Sequence, residues 1–514
     1  MEGLSPEKLP SAVSFYEKKE ERTSEKIPLP DFGEYTKLNE IAEEVAELTG
    51  DWDPVEIYNP GNSKEEKEKF LDAYQKGEEY NPQFIYPRAL EIYSDPSFIK
   101  TKERLYELLS TVKEDIRSRR DISKAERLYR LSLYSKLKDD IATTKIIEGI
   151  ATRNDELTKE GMYEKYTHFK NSDDPLVKLA ENVYHSLIEG KSTIKAEPLL
   201  SKEEIKFLKG TKVSPEETKE AFEWALKKLG ILYPENPDGF RVIIDEKART
   251  IDVRNKSKEG KVVVVPKDRK RTRKKLLELI NHEIVGHARQ SYNSEKIFKL
   301  GGGKLKFDDE VMYEGLAMRH EKDADLELFG EVNKYASPFY VLAIDLAQKG
   351  LSFYQIFDRL VDMKLHVKLK IPPDQKIDRE SLSLKKEDWE KIYDWSWGRV
   401  IRVMRGHSDT RNLQAYALPK DIAYLAGYQI DKGLVQLQTQ PLFQNRRINP
   451  AQLNEMAGLV KGGLLALAEF DLSEPTISQL IREGKYIPFQ DLARKYYDEF
   501  LRPQFLKSQE SIKT

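Results

Sequence analysis

Apolar residues recur at helical spacing through most of the first 230 positions. Ile41, Val45 and Leu48 share one face, and the segments 97–118, 123–149 and 177–189 are long, charged and periodic. Tyr80-Asn81-Pro82 and Ser94-Asp95-Pro96 punctuate them as turns. The period changes after Pro234-Glu235-Asn236-Pro237-Asp238-Gly239. Phe240 to Ile244, Thr250 to Val253 and Lys261 to Val265 are short β-branched runs, which predict a small antiparallel sheet. A helix is expected from about Lys270 to Tyr292. Gly301-Gly302-Gly303 breaks the chain, and a second helix runs from about Asp308 past Ala324 with an acidic first turn. The remainder reads as mostly helical, interrupted at Ile371-Pro372-Pro373-Asp374.

The pattern gives an α+β class, mainly α, with the small sheet packed on the helices that follow it. Four regions are expected: a polar, Pro-punctuated arm over 1–30, a helical region over 31–235, a region holding the sheet and the chemistry over 236–435, and C-terminal helices over 436–514.

Composition narrows the chemistry. Of 514 residues 34% are charged, yet the net charge is −2, so no overall field for nucleic acid or a membrane surface is expected. Cysteine is absent, which excludes disulfides and thiolate metal sites and leaves His, Asp and Glu as ligands. No signal peptide or membrane span is evident, and a cytoplasmic location is expected.

The candidate chemistry lies in Asn281-His282-Glu283-Ile284-Val285-Gly286-His287. Neutral imidazoles are good zinc ligands, and a carboxylate beside the first can take a proton from water. The common zincin pattern, H-E-x-x-H, places its histidines one helical turn apart. Here one residue is added, and on a regular helix positions five apart differ by about 140°. A shared ion therefore requires a non-ideal turn, such as a π bulge. Gly286 makes a local distortion cheaper. On composition, H-E-x-x-x-H arises by chance in about one such chain in a hundred. The bland alternative is two core histidines and a surface glutamate on an ordinary helix. A catalytic zinc also wants a third protein ligand and an open position. Glu314, in Tyr313-Glu314-Gly315-Leu316-Ala317, begins the next helix and is followed by small and apolar residues. Glu321 and Asp325 share its face, where one could orient a ligand histidine, although a solvated acidic face is the favoured reading. His320 lies off that face and is expected at the surface or as a cap.

These residues resemble the QEGLA-motif family of zinc metallopeptidases, which includes the microtubule-associated tyrosine carboxypeptidase and shares the H-E-x-x-x-H spacing. The resemblance rests on His282-Glu283-Ile284, His287, Arg289 and Glu314-Gly315-Leu316-Ala317. It extends to Tyr80-Asn81-Pro82-Gln83-Phe84-Ile85-Tyr86, Leu131 to Ile141, Arg405-Gly406, Asp409-Thr410 and Lys420 to Gly427, spanning about residues 36–430. Two departures concern substrate preference: Val285-Gly286 stands where Gly-Thr is common, and Tyr313 where Gln or Glu is common. His-Glu-Ile-Val-Gly-His also resembles the motif of dipeptidyl peptidase III, whose second motif is richer in paired glutamates.

The family resemblance implies a zincin-like fold, one zinc ion held by His282, His287 and Glu314, and carboxypeptidase-like removal of a C-terminal residue from a peptide or protein tail. Glu283 would be the base, and Tyr424 the donor to the oxyanion. A carboxypeptidase must also hold a terminal carboxylate; Arg405 is the first candidate for this and Lys420 the second, with Arg402 and Arg411 behind them. Alternatives are a zincin of other specificity, such as an aminopeptidase or dipeptidyl peptidase, and a non-catalytic binding module. The strand Val262 to Val265 could lend its edge to an extended peptide, although a buried strand is the simpler reading. The seven basic residues in Lys267 to Lys275 read as a solvated helix start or a patch for acidic tails.

Overall fold

The computed structural model describes residues 36–50, 52, 54–119, 124–166, 172–246, 248, 250–254, 260–298, 310–437 and 474–513. The expected arm at 1–30 and the glycines at 301–303 lie outside them. The fold is mainly helical with small sheets. The periodic segments form helices Ser97–Ser118, Lys124–Thr152 and Pro175–Ile188. No described helix is long and apolar enough to cross a membrane.

The strands are β1 (Thr193–Lys195), β2 (Lys212–Val213), β3 (Arg241–Asp245), β4 (Asp252–Arg254), β5 (Val262–Pro266), β6 (Arg271–Thr272) and β7 (Glu331–Asn333). The expected antiparallel sheet is instead mixed, in the order β3-β5-β4. β3 runs parallel to β5, with Val242 opposite Val263, and β4 runs antiparallel to β5, with Val253 also opposite Val263. The cause lies in the valines. Val262 to Val265 are all buried, and a strand apolar on both faces takes the centre of a covered sheet. β3 and β4, with partly exposed positions, take the flanks. β5 therefore has no free edge to offer a peptide; among the described residues β4 is paired on one side only.

A second difference concerns the start of the site helix. Arg271 and Thr272 pair with β2, and the helix begins at Arg273 rather than near Lys270. Thr272 is its cap, the hydroxyl accepting from Lys275 N at 3.2 Å.

The hydrophobic cores run across residue 235. The largest joins helices Ser63–Gln75 and Pro175–Ile188 to Phe353–Leu369 and Lys386–Val403. At its centre Phe70 packs edge-on against Phe357 at 4.7 Å and Phe353 at 5.2 Å, with Trp397 at 5.5 Å. A second core lies between the sheet and the site helix: Val263 and Val265 pack with Phe222, Ile280, Ile284, Val285 and Ala288. The sheet thus fixes one side of the site helix, leaving the opposite side for chemistry.

Phe70 is fully buried. Phe70→Ala is expected to lower stability by roughly 3–5 kcal/mol in denaturant unfolding; a loss below about 1 kcal/mol would mean that this aromatic nest does not organise the helices.

Candidate metal centre

The site helix is continuous from Arg273 to Phe298 but changes pitch. Residues Arg273–Leu279 are α-helical, Ile280–Ala288 are π-helical, and Arg289–Phe298 return to α. This is the distortion that the five-residue histidine spacing demands, since i→i+5 bonding brings His287 back to the face of His282. The two rings meet edge to face, 4.9 Å between centroids.

Glu314 comes from the helix Glu310–Phe329. Its Oε2 lies 3.6 Å from His287 Nε2 and 3.9 Å from His282 Nε2, and one donor atom from each of the three residues falls within 4.8 Å of the others. Tetrahedral ligands at zinc distances stand ~3.3 Å apart. Glu314 Oε2 is buried and has no hydrogen-bond partner. Two imidazoles, a carboxylate and a buried oxygen without a donor fit a divalent cation.

Close helix approach sets this geometry. A Cβ on Gly286 would stand 2.8 Å from the Cβ of Ala317, so this glycine lets the π turn and the Glu314 helix touch. Its role is contact as much as flexibility. Gly315 meets Gly427 in the same way: a Cβ on Gly427 would come within 1.9 Å of the Val311 carbonyl oxygen. That crossing seats the helix Ile422–Leu437, which carries Tyr424, directly against the Glu314 helix.

The supporting residues differ in part from expectation. Glu321, favoured as a solvated residue, is half-buried behind His282, with Oε2 3.0 Å from its Nδ1 and Oε1 3.1 Å from Lys275 Nζ. Asp325 is not a free surface charge either: it pairs with Lys274 at 2.9 Å, and burial with nearby Glu278 pushes its carboxyl up to about 6. His320 is buried rather than on the surface, stacked on Phe489 at 4.4 Å, because its face of the helix is covered by the C-terminal segment. Tyr313 was given no role by the motif, yet its ring stacks on His287 at 4.3 Å and its hydroxyl donates to the His287 carbonyl at 2.9 Å. The sequence signal for it was a large aromatic immediately before the candidate ligand.

A cleft of about 750 Å³ opens over these groups. His282, Glu283, His287, Tyr313, Glu314, Arg402, Arg405, Lys420 and Tyr424 all line it, together with β4, the basic residues Arg269, Arg271 and Lys275, and a far wall from the helices Lys124–Thr152 and Asp155–Lys165. The basic run is thus only partly a solvated helix start. Arg411 does not line the cleft; it pairs with Asp409 at the surface.

The charges in the cleft diverge. Burial, with the charges of Glu314 and Asp252, pushes the Glu283 carboxyl above the usual carboxylate range against the pull of both histidines. Burial would also raise Glu314, but His287, His282 and Lys420 outweigh it and hold it down at about 2. Glu314's charge and burial raise the Tyr424 phenol well above its ordinary value, so it remains a donor. Arg402 grips Asp421 with two hydrogen bonds, of 2.8 and 2.5 Å, and reaches the Tyr424 hydroxyl at 3.3 Å. Arg405 is half-buried, and its buried Nε meets no acceptor among the described residues.

No protein-family model matches the chain, and no curated protein matches it.

For zinc bound at this site, the contact between Glu321 and His282 predicts that Glu321→Ala would weaken its affinity about 10–100-fold. Competition with a chromophoric chelator measures this, and wild-type affinity in the variant would mean that His282 needs no carboxylate behind it.

Proposed function

We propose that this protein is a zinc-dependent peptidase of zincin-like fold that removes a residue from the C-terminus of a peptide or protein tail. The observation that carries the hydrolase reading is the convergence of one donor atom each from His282, His287 and Glu314, the Glu314 oxygen being buried without a hydrogen-bond partner, with Glu283 lining the same cleft. Resemblance to the QEGLA-motif peptidases supports it from the side of sequence.

Bound there, zinc would supply Lewis-acid polarisation of a peptide carbonyl and a lower pKa for water. Glu283 accepts the proton of the attacking water and passes it to the leaving amine; its raised affinity for protons suits both halves of that task. The Tyr424 phenol, held by Arg402, donates to the oxygen that gains charge at the scissile carbonyl. The edge of β4 borders the cleft and can take main-chain hydrogen bonds from an extended substrate, the part that the paired β5 cannot play.

The choice of the C-terminus rests on Arg405. A half-buried guanidinium lining the cleft, with an Nε that meets no acceptor, suits a carboxylate delivered by the ligand, and Lys420 adds positive charge to the same wall. Arg402, committed to Asp421, positions Tyr424 instead.

Purified protein is expected to hold one equivalent of zinc and to release C-terminal residues from N-blocked peptides. Glu283→Gln is expected to retain the zinc and lose about 10²–10⁴-fold in kcat. A protein that takes up no zinc, or a Glu283→Gln variant of full activity, would end the hydrolase reading; cleavage confined to C-blocked peptides would overturn the carboxypeptidase assignment alone.

Arg405→Ala is expected to raise KM for free-carboxylate peptides with little change towards the corresponding amides. Tyr424→Phe should lower kcat by about 10²-fold with KM almost unchanged. Equal effects of Arg405→Ala on acids and amides would remove its role in binding the terminus.

A further inference from the structure

The π turn is gripped from behind by a segment about two hundred residues later in the chain. Asn281, immediately before His282, is fully buried. Its Nδ2 donates to Asp491 Oδ1 at 3.1 Å, and its Oδ1 accepts from Ala493 N at 3.1 Å. The same amide nitrogen reaches the His320 carbonyl at 3.5 Å, on the helix that carries Glu314. Just past the other end of the turn, fully buried Arg289 donates from Nε to the Val285 carbonyl within the turn and from Nη1 to the Ile487 carbonyl, each at 2.9 Å. One turn of helix further on, Asn293 closes a two-way pair with Ile487, at 2.9 and 2.8 Å. Leu492 sits in the core beside Ile280 and Ile284.

We propose that residues 486–497 form a brace that sets the curvature of the metal-holding turn, with Asn281 as the positioning residue that couples brace to ligand. The proposal rests on the metal reading above. A π turn has wider backbone geometry than the α-helix on either side, and isolated π segments are rare. Something outside the helix must favour it. Asn281 spends both ends of its amide on groups outside its own helix, and Asp491 Oδ1 is held in turn by Arg494 N at 3.1 Å, as the cap of the helix Leu492–Tyr496. The backbone leading into His282 is thereby fixed to a capped helix, not to a loose strand. Arg289, on the site helix and tied to Ile487 of that segment, holds the Val285 carbonyl, two residues before His287. The hydrogen bonds of the brace fall on both sides of the histidine pair, at Asn281 and at Arg289.

The test uses the full-length protein with cobalt as a spectroscopic probe and zinc affinity from chelator competition. Asn281→Ala and Asp491→Ala are each expected to weaken zinc binding about 10–100-fold and to shift the cobalt d–d bands. Asp491→Asn, which keeps an acceptor oxygen for Asn281, is expected to restore both. Phe70→Ala, in the separate aromatic core, lowers thermal stability and should leave affinity and spectrum close to wild type. Wild-type affinity and spectrum in Asn281→Ala would overturn the proposal. So would an equal loss in Phe70→Ala, which would make the effect one of general stability. If Asn281→Ala does not fold, the Asp491→Ala and Asp491→Asn pair decides alone, and failure of Asn to restore what Ala removes counts against the brace. A wild type that binds neither metal ends the metal reading and this inference with it; a wild type that binds both, with variants that match it, ends only this inference.

Discussion

Two histidines five positions apart on one helix cannot share a ligand unless the helix gives way between them, and the rest of the site is arranged around that concession. Residues Ile280–Ala288 widen into a π turn. The apolar residues of the turn, Ile280, Ile284, Val285 and Ala288, point into the core beneath the three-stranded sheet. The face carrying His282, Glu283 and His287 is left towards the cleft. Glu314 can reach it only because Gly286 and Ala317 let the second helix come to contact distance. Tyr424 follows because Gly315 and Gly427 repeat the device one helix further out. Each step relies on the one before it, from sheet to turn to ligand helix to phenol.

Three largely covered carboxyls within this small volume are held in different states by their neighbours. Glu314 faces two imidazoles and Lys420, and stays ionised. Glu321 faces His282 and Lys275, which hold it well below the carboxylate range although burial opposes them. Glu283 has the same burial but also the charges of Glu314 and Asp252 nearby, and is pushed upward. Groups separated in this way take different tasks: one suited to a cation, one to fixing a ring, one to moving a proton. The Glu321 to Lys275 contact extends through Glu278 and Lys274 to Asp325, so the charge behind His282 is anchored over two helices.

Much of this could be read in the sequence where the period was strong or the residue type rare. The helices at 97–118, 123–149 and 177–189 lie where apolar spacing puts them, because burial on one face leaves that trace. Seven histidines in the whole chain made the pair at 282 and 287 conspicuous, and the spacing itself called for the π turn. Strand direction left no trace: four successive valines say that β5 is buried, but whether β3 runs with or against it depends on where β4 inserts. Glu321 and His320 were misjudged for one reason. Their burial comes from residues 275 and 486–493, which approach from outside the local window. Long-range cover is invisible to helical periodicity, and polar residues that such cover buries look like surface residues.

Arg402 and Arg405 show how far identity and local sequence can mislead about role. They sit three residues apart, both half-buried, and both line the cleft. Arg402 has its charge met twice by Asp421 and spends a further donor on Tyr424, so it is a structural cation whose removal would leave a carboxylate stranded. Arg405 has the same burial and, at Nε, no acceptor among the described residues. Burying a guanidinium without a full set of acceptors opposes folding. A ligand's carboxylate would relieve that cost, and an amide would bring no charge to this position. On the proposed reading, selection of a chain end over an internal peptide bond would rest on one unmatched cation rather than on a closed wall, so that a cleft of this size would stay open to a long tail while still choosing its terminus.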